Sequence, residues 1–278
     1  MTGEWHGVVV TAPPDRLETI TAWLWDYDLT GLEEGETEVT AYRAEPWDQA
    51  ELRARLPEAA AIRFFAVPDQ DWDAVWKASW TPTPLGDRLL VIPAWWREPV
   101  DADRIVIRID PGRAFGTGTH ESTRLAWVTL EACLAPGERA YTWLLDVGTG
   151  TGVLALGALL LRPDLQAVTT EADPQAVASL RPNLMASPAA PRFGAVLAAA
   201  LPLRAGCADL IVANLTAAEH EAVDAGIARA AAPQCTLVLS GFMRGQETAA
   251  VGRWAQRRFA ETARRVDGDW VALRFDRV

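Results

Sequence analysis

The chain has 278 residues, half of them hydrophobic, with 26 basic against 37 acidic side chains and a formal net charge of −11. The length suits two domains with a core each, and the acidic balance disfavours a nucleic acid backbone as a direct partner while leaving basic proteins and cationic ligands open. Cys133, Cys207 and Cys235 are odd in number and scattered, as reduced core thiols are, and His6, His120 and His220 lack ligand spacing, so neither a disulfide framework nor a metal is expected. The most apolar run, Val153 to Leu161, is too short to span a bilayer, and MTGEWHGVVV lacks a leader pattern, so a soluble cytoplasmic protein is expected.

Residues 1–68 change period five times. Trp5 to Val10 is a β-branched run; Leu17, Ile20 and Leu24 then fall at helical spacing after Pro13-Pro14-Asp15. Strands at Gly31 to Glu34 and Glu38 to Tyr42 flank a Gly-containing turn, and a helix at Asp48 to Leu56 precedes a strand at Ile62 to Val67. The order β-α-β-β-α-β is that of a small ferredoxin-like α+β domain, and nothing in it carries evident chemistry, so packing and docking roles stay equally open. Residues 69–80 place Trp72, Trp76 and Trp80 on one helical face, the pattern of a linker helix whose rings pack between domains. Beyond Pro82 and Pro84, strands are expected at Arg88 to Ile92 and Arg104 to Ile109.

The stretch DPGRAFGTGTHESTR, Asp110 to Arg124, is a long loop rich in glycine and hydroxyl side chains, expensive to order unless a ligand lies beneath it. A helix follows with Leu125, Val128 and Ala132 expected toward the core, which leaves Thr123 as either a helix cap or a ligand contact, and His120 as either a surface or a functional histidine. WLLDVGTGTG, Trp143 to Gly152, reads as buried strand, tight turn and helix, the first unit of a doubly wound sheet. No lysine supports a phosphate loop there, and Val153 stands where a dinucleotide fingerprint needs glycine. S-adenosylmethionine fits better: Asp146 suits an ammonium group, and Glu171, at the end of the next strand in EADP, suits ribose hydroxyls. Strand and helix then alternate through Asp209 to Ala213, followed by Asn214-Leu215-Thr216, and Thr236 to Ser240. A hairpin around Asp267-Gly268 gives the outline of a Rossmann-like methyltransferase.

With DPGRAFGTGTHESTR, LLDVGTGTG, EADP and VANL in this order, the chain resembles the PrmA family, bacterial methyltransferases of the ribosomal stalk-base protein, number eleven of the large subunit. The resemblance covers Asp69 to Val278. It implies a class I methyltransferase domain at 81–278, a linker helix at 69–80 and a substrate-recognising domain at 1–68, acting as a monomer on a ribosomal protein with no direct nucleic acid or membrane contact. Carried over by position, Thr123, Gly148, Glu171 and Asn214 match cofactor-contacting positions, with Phe115, Thr117, Asp146, Gly150 and Gly152 completing the set. Three departures accompany it: Glu171 stands where Asp is common, Pro182 predicts a kink or early helix stop before Asn183, and Ala195 and Val196 offer no polar group to an adenine.

Methyl transfer to an amine needs a neutral nitrogen. Asn214 is expected to accept a hydrogen bond from the incoming amine, and His120 to relay a proton. Asn-Leu-Thr differs from the Asn-Pro-Pro-Tyr of base and glutamine methyltransferases, which favours an aliphatic amine. Another protein or a small amine as substrate, a non-catalytic S-adenosylmethionine-binding module, and more distantly a nicotinamide oxidoreductase, are the competing readings.

Overall fold

The computed structural model describes residues 5–56, 61–67, 77, 80–100, 103–112, 114–199 and 201–278, and the chain divides into two compact units, Met1–Trp80 and Thr81–Val278. In the first unit, β1 (Trp5–Thr11), α1 (Pro14–Leu24), β2 (Gly31–Glu34), β3 (Glu38–Arg43), α2 (Gln49–Arg55) and β4 (Ala61–Val67) form a four-stranded sheet of order β2-β3-β1-β4. The described pairs are antiparallel, which is the split βαβ arrangement. Alternation places Val8, Val10, Val39 and Ala41 on one face, where they bury against Leu17, Ile20, Leu24 and Leu52 of the two helices. Of the expected helix at 69–80, Trp72 and Trp76 lie outside the described residues, and Trp80 is buried.

The second unit opens with a three-stranded sheet, β5 (Thr83–Leu85), β6 (Leu89–Pro93) and β7 (Ile105–Ile109), of which β5 carries too little pattern to be seen in the sequence. Helix α3 (Glu121–Cys133) follows the glycine-rich loop. Its buried face is Leu125, Ala126, Trp127 and Leu130, whereas Val128 and Ala132, expected toward the core, are only half-buried; the burial of the Trp127 ring sets the rotation of the helix. The rest alternates as β8 (Trp143–Val147), α4 (Val153–Leu161), β9 (Gln166–Glu171), α5 (Pro174–Ala186), β10 (Phe193–Leu197), β11 (Ala208–Asn214), α6 (Ala217–Ala230), β12 (Ala231–Met243), α7 (Glu247–Gln256), β13 (Phe259–Asp267) and β14 (Trp270–Arg277).

These strands make a seven-stranded sheet of order β10-β9-β8-β11-β12-β14-β13. The first five strands run parallel and β14 is antiparallel to β12 and β13. Strands β8 and β11 and the stretch Cys235 to Ser240 of β12 are almost wholly buried, as a sheet covered on both faces requires. Charged β13 closes one edge and blunts it against further pairing. Helix α5 does not stop at Pro182 but continues to Ala186, and Asn183 is held by three hydrogen bonds of its own, described below. Ala195 and Val196 lie within β10, paired with Thr169 and Thr170. Helix α7 went unforeseen in the sequence. The parallel register aligns Val147 with Thr170 and Ala213, and Asn214 with Ser240, so Gly148, Glu171, Asn214 and Ser240 share one rim. Strand order reverses between β8 and β11, the topological switch point at which open α/β sheets bind ligands.

Candidate functional site

A cavity of about 450 Å³ opens at that switch point. Phe115, His120, Thr123, Gly148, Gly150, Glu171 and Asn214, all expected at the site, line it together with Thr149, Asp173, Leu215, Glu219 and Trp270. Three carboxylates face the space and no lysine or arginine does among the described lining residues. Such a wall favours a cationic ligand and repels a polyphosphate.

The glycine turn owes its shape to backbone conformations that side chains resist. Gly150 has φ of +55°, and a Cβ there would stand 2.3 Å from the carbonyl oxygen of Phe115. That carbonyl accepts the Thr151 N–H at 3.0 Å, and the Thr151 hydroxyl donates to the Gly116 carbonyl at 2.5 Å. The loop before α3 is therefore sewn directly onto the turn after β8. Asn183 adds a second seam: its Oδ1 accepts from the Asp110 N–H at 2.7 Å, and its Nδ2 donates to the carbonyls of Asp110 at 2.9 Å and Thr151 at 3.0 Å. Glu171 accepts from the N–H groups of Gly150 at 2.9 Å, Ala172 at 2.9 Å and Asp173 at 3.1 Å, which fixes its carboxylate at the cavity wall.

Asn214 donates from Nδ2 to the Thr123 hydroxyl at 3.2 Å. One of its two N–H donors is thereby engaged, which orients the amide and leaves the Oδ1 carbonyl open to a ligand. Thr123 is buried and serves this contact rather than capping α3. The cap is His120, whose Nδ1 accepts from the Ser122 N–H at 3.2 Å. Nδ1 also lies 2.8 Å from the Ser122 hydroxyl, so neither contact of this nitrogen is the relay to an amine expected of His120. Its ring instead packs edge-on to Phe115 at 5.2 Å and Trp270 at 4.8 Å, forming an aromatic wall.

Three expected site residues are placed elsewhere. Thr117 is away from the cavity lining, sharing a hydrogen bond with the Thr119 hydroxyl at 2.7 Å. A Cβ on Gly152 would meet Leu180 and Leu156, so this glycine serves helix packing and not ligand approach. Asp146 is buried beneath the turn, where its Oδ2 accepts from the Thr149 hydroxyl at 2.8 Å. Burial pushes its carboxyl up to about 7, with the neighbouring Glu171 charge adding to the effect and the Thr149 and Ala155 hydrogen bonds opposing it. Trp270 and Asn183 escaped sequence reasoning as site residues. The tight Asp267-Gly268 hairpin carried the only signal for Trp270, and the departure at Pro182 had drawn notice to Asn183 without a role.

Comparison with known proteins gives consistent findings. A family model described as ribosomal protein L11 methyltransferase (PrmA) matches residues 7–278. The ribosomal protein L11 methyltransferase of Symbiobacterium thermophilum is 33% identical over 262 residues, covering 89% of this chain and 84% of its own length. The one from Trichlorobacter lovleyi is 30% identical, with 100% of both chains covered. The crystal structure of ribosomal protein L11 methylase from Lactobacillus delbrueckii subsp. bulgaricus aligns with a TM-score of 0.62 at 25% identity, over 71% of this chain and 99% of that one.

Proposed function

Because the chain belongs to the ribosomal protein L11 methyltransferase family, we propose that it transfers methyl groups from S-adenosylmethionine to lysine side chains and the N-terminal amine of ribosomal protein L11. The observation that carries the reading is the meeting, in one acidic cavity, of the bare glycine turn, the Glu171 carboxylate and the Thr123-bound amide of Asn214. The cavity residues fit the cofactor: Gly148 and Gly150 leave backbone uncovered, Glu171 suits a ribose diol, and a wall without basic residues tolerates a sulfonium. When bound, S-adenosylmethionine would supply an electrophilic methyl group to a neutral amine in an in-line displacement, with the thioether S-adenosylhomocysteine as the leaving group.

The chain's own residues do the rest. Asn214 Oδ1 accepts an N–H of the incoming amine and so aims its lone pair, and Thr123 keeps the amide from turning. Phe115, His120 and Trp270 border the reacting space with apolar surface, which lowers the proton affinity of a lysine entering it. His120 presents a ring edge there, and the amine proton is released to solvent as the lysine enters.

In this reading residues 1–68 recognise the ribosomal protein, 69–80 link, 81–278 catalyse, and the protein works as a monomer. The division of the chain into two compact units between Trp80 and Thr81 supports that reading.

The test is the mass of recombinant L11 after incubation with the protein and S-adenosylmethionine, with Gly148→Arg as the blank. Steps of one methylene absent from the blank support the reading. No gain, with calorimetric cofactor binding intact, moves the substrate to another amine.

A further inference from the structure

His220 is fully buried on α6, outside the cavity lining, and the mechanism above makes no use of it. Its ring stacks on Phe242 at 4.4 Å between centroids, and its Nε2 lies 2.8 Å from the Ser240 carbonyl oxygen. A carbonyl can only accept, so Nε2 carries the proton. Nδ1 has no partner among the described residues, so the Nε2 bond is the hydrogen bond the ring makes. Burial holds the ring neutral by pushing its ionisation down to about 4.

The Ser240 carbonyl receives a second donor, the Leu215 N–H at 3.1 Å, one residue past Asn214. The hydroxyl of the same serine donates to the Ser122 carbonyl at 2.8 Å, next to Thr123. Thr123 in turn holds Asn214. Asn214, Leu215, Ser240, Ser122 and Thr123 therefore close a ring of contacts across three elements. Gly241 makes the approach feasible, since a Cβ there would overlap the Leu215 carbonyl.

The geometry points to His220 as a positioning residue that, through the shared Ser240 carbonyl, fixes the turn Asn214-Leu215-Thr216 and so sets the aim of the Asn214 carbonyl. This rests on the methyl-transfer reading for its kinetic consequence but not for its structural one. Its logic is geometric: a side chain that must meet an amine at hydrogen-bond distance loses rate steeply when its backbone can shift.

The experiment compares His220→Leu with His220→Gln, whose amide nitrogen can occupy the position of Nε2. With Asn side chains labelled and the Asn214 amide assigned by its loss in Asn214→Ala, the Asn214 signal shifts in His220→Leu and returns in His220→Gln. In turnover, His220→Leu loses about ten- to a hundredfold in kcat, with KM and cofactor affinity little changed. The loss disappears when it is introduced into Asn214→Ala, as coupled residues require. An unmoved Asn214 signal in folded His220→Leu overturns the proposal even if the substrate were wrongly assigned, because it is read without substrate. A kcat loss that persists undiminished in Asn214→Ala overturns it as well. Should leucine prevent folding, His220→Phe keeps the stacked ring and removes the donor, with the same outcomes decisive.

Discussion

Replacing Asp146 by asparagine should make the protein more stable at neutral pH and above, with an advantage that grows as pH rises. The carboxyl is buried beneath the glycine turn and titrates at about 7 instead of its ordinary 3.8. Below pH 4 it is protonated in folded and unfolded chains alike and makes no difference. Between about 4 and 7 the folded chain keeps a proton that the unfolded chain has released, so its contribution to stability falls with rising pH. Above 7 the full penalty of a buried charge applies, about 4 kcal/mol from the distance between the two values. Asparagine carries no charge and can still accept from the Thr149 hydroxyl. It gives up one of the two donors that the carboxylate accepts, Thr149 or Ala155, at a cost of about 1 kcal/mol. Urea unfolding of both proteins from pH 4 to pH 8 measures the difference. The expectation is about 1 kcal/mol in favour of aspartate at pH 4, turning to about 3 kcal/mol in favour of asparagine at pH 8. A difference that stays flat across that range, or favours aspartate at pH 8, would show that the carboxylate is well solvated or paired in the fold.

Two further outcomes follow from the seams between loop and turn. Asn183→Ala removes three hydrogen bonds and leaves the Asp110 and Thr151 backbone groups unpaired. At about 1 kcal/mol each this is about 3 kcal/mol and a fall of roughly 10 °C in melting temperature, readable by thermal denaturation; a fall of only a degree or two would mean that water replaces the amide. Gly150→Ala places a methyl group against the Phe115 carbonyl at a positive φ. It should weaken cofactor binding about tenfold or more through strain of about 1–3 kcal/mol at the turn, and calorimetry with affinity unchanged would show that the loop can retreat without consequence.

Much of the catalytic unit was legible because its signals are local. A buried strand, alternating glycines and a helical apolar run define the β8 turn within about twenty residues, and an acid at the end of the next strand needs only the β/α alternation to be placed. The FGTGTH loop announced itself by its length and lack of anchoring apolar groups. The element order of residues 5–67 was legible for the same reason: period two and period 3.6 alternate cleanly. Helix α7 and strand β5 were not, one amphipathic behind a long strand and the other three residues long.

Sequence by itself determined which residues could bear chemistry and, through strand order, that Gly148, Glu171 and Asn214 would lie at carboxyl ends of strands. Only the tertiary structure decided what each of them faces. Asp146 is buried, which raises its proton affinity; Gly152 meets Leu180 instead of a ligand; Nδ1 of His120 caps a helix. Asn183, Trp270 and His220 gain roles from partners 20 to 150 residues away along the chain, as with Asn183 and Asp110, separated by 73 residues. Local periodicity records whether a side chain is buried, because burial follows the repeat of its own helix or strand. It does not record the partner, because hydrogen bonds at a sheet's rim join residues whose proximity is set by register and crossover rather than by spacing along the chain.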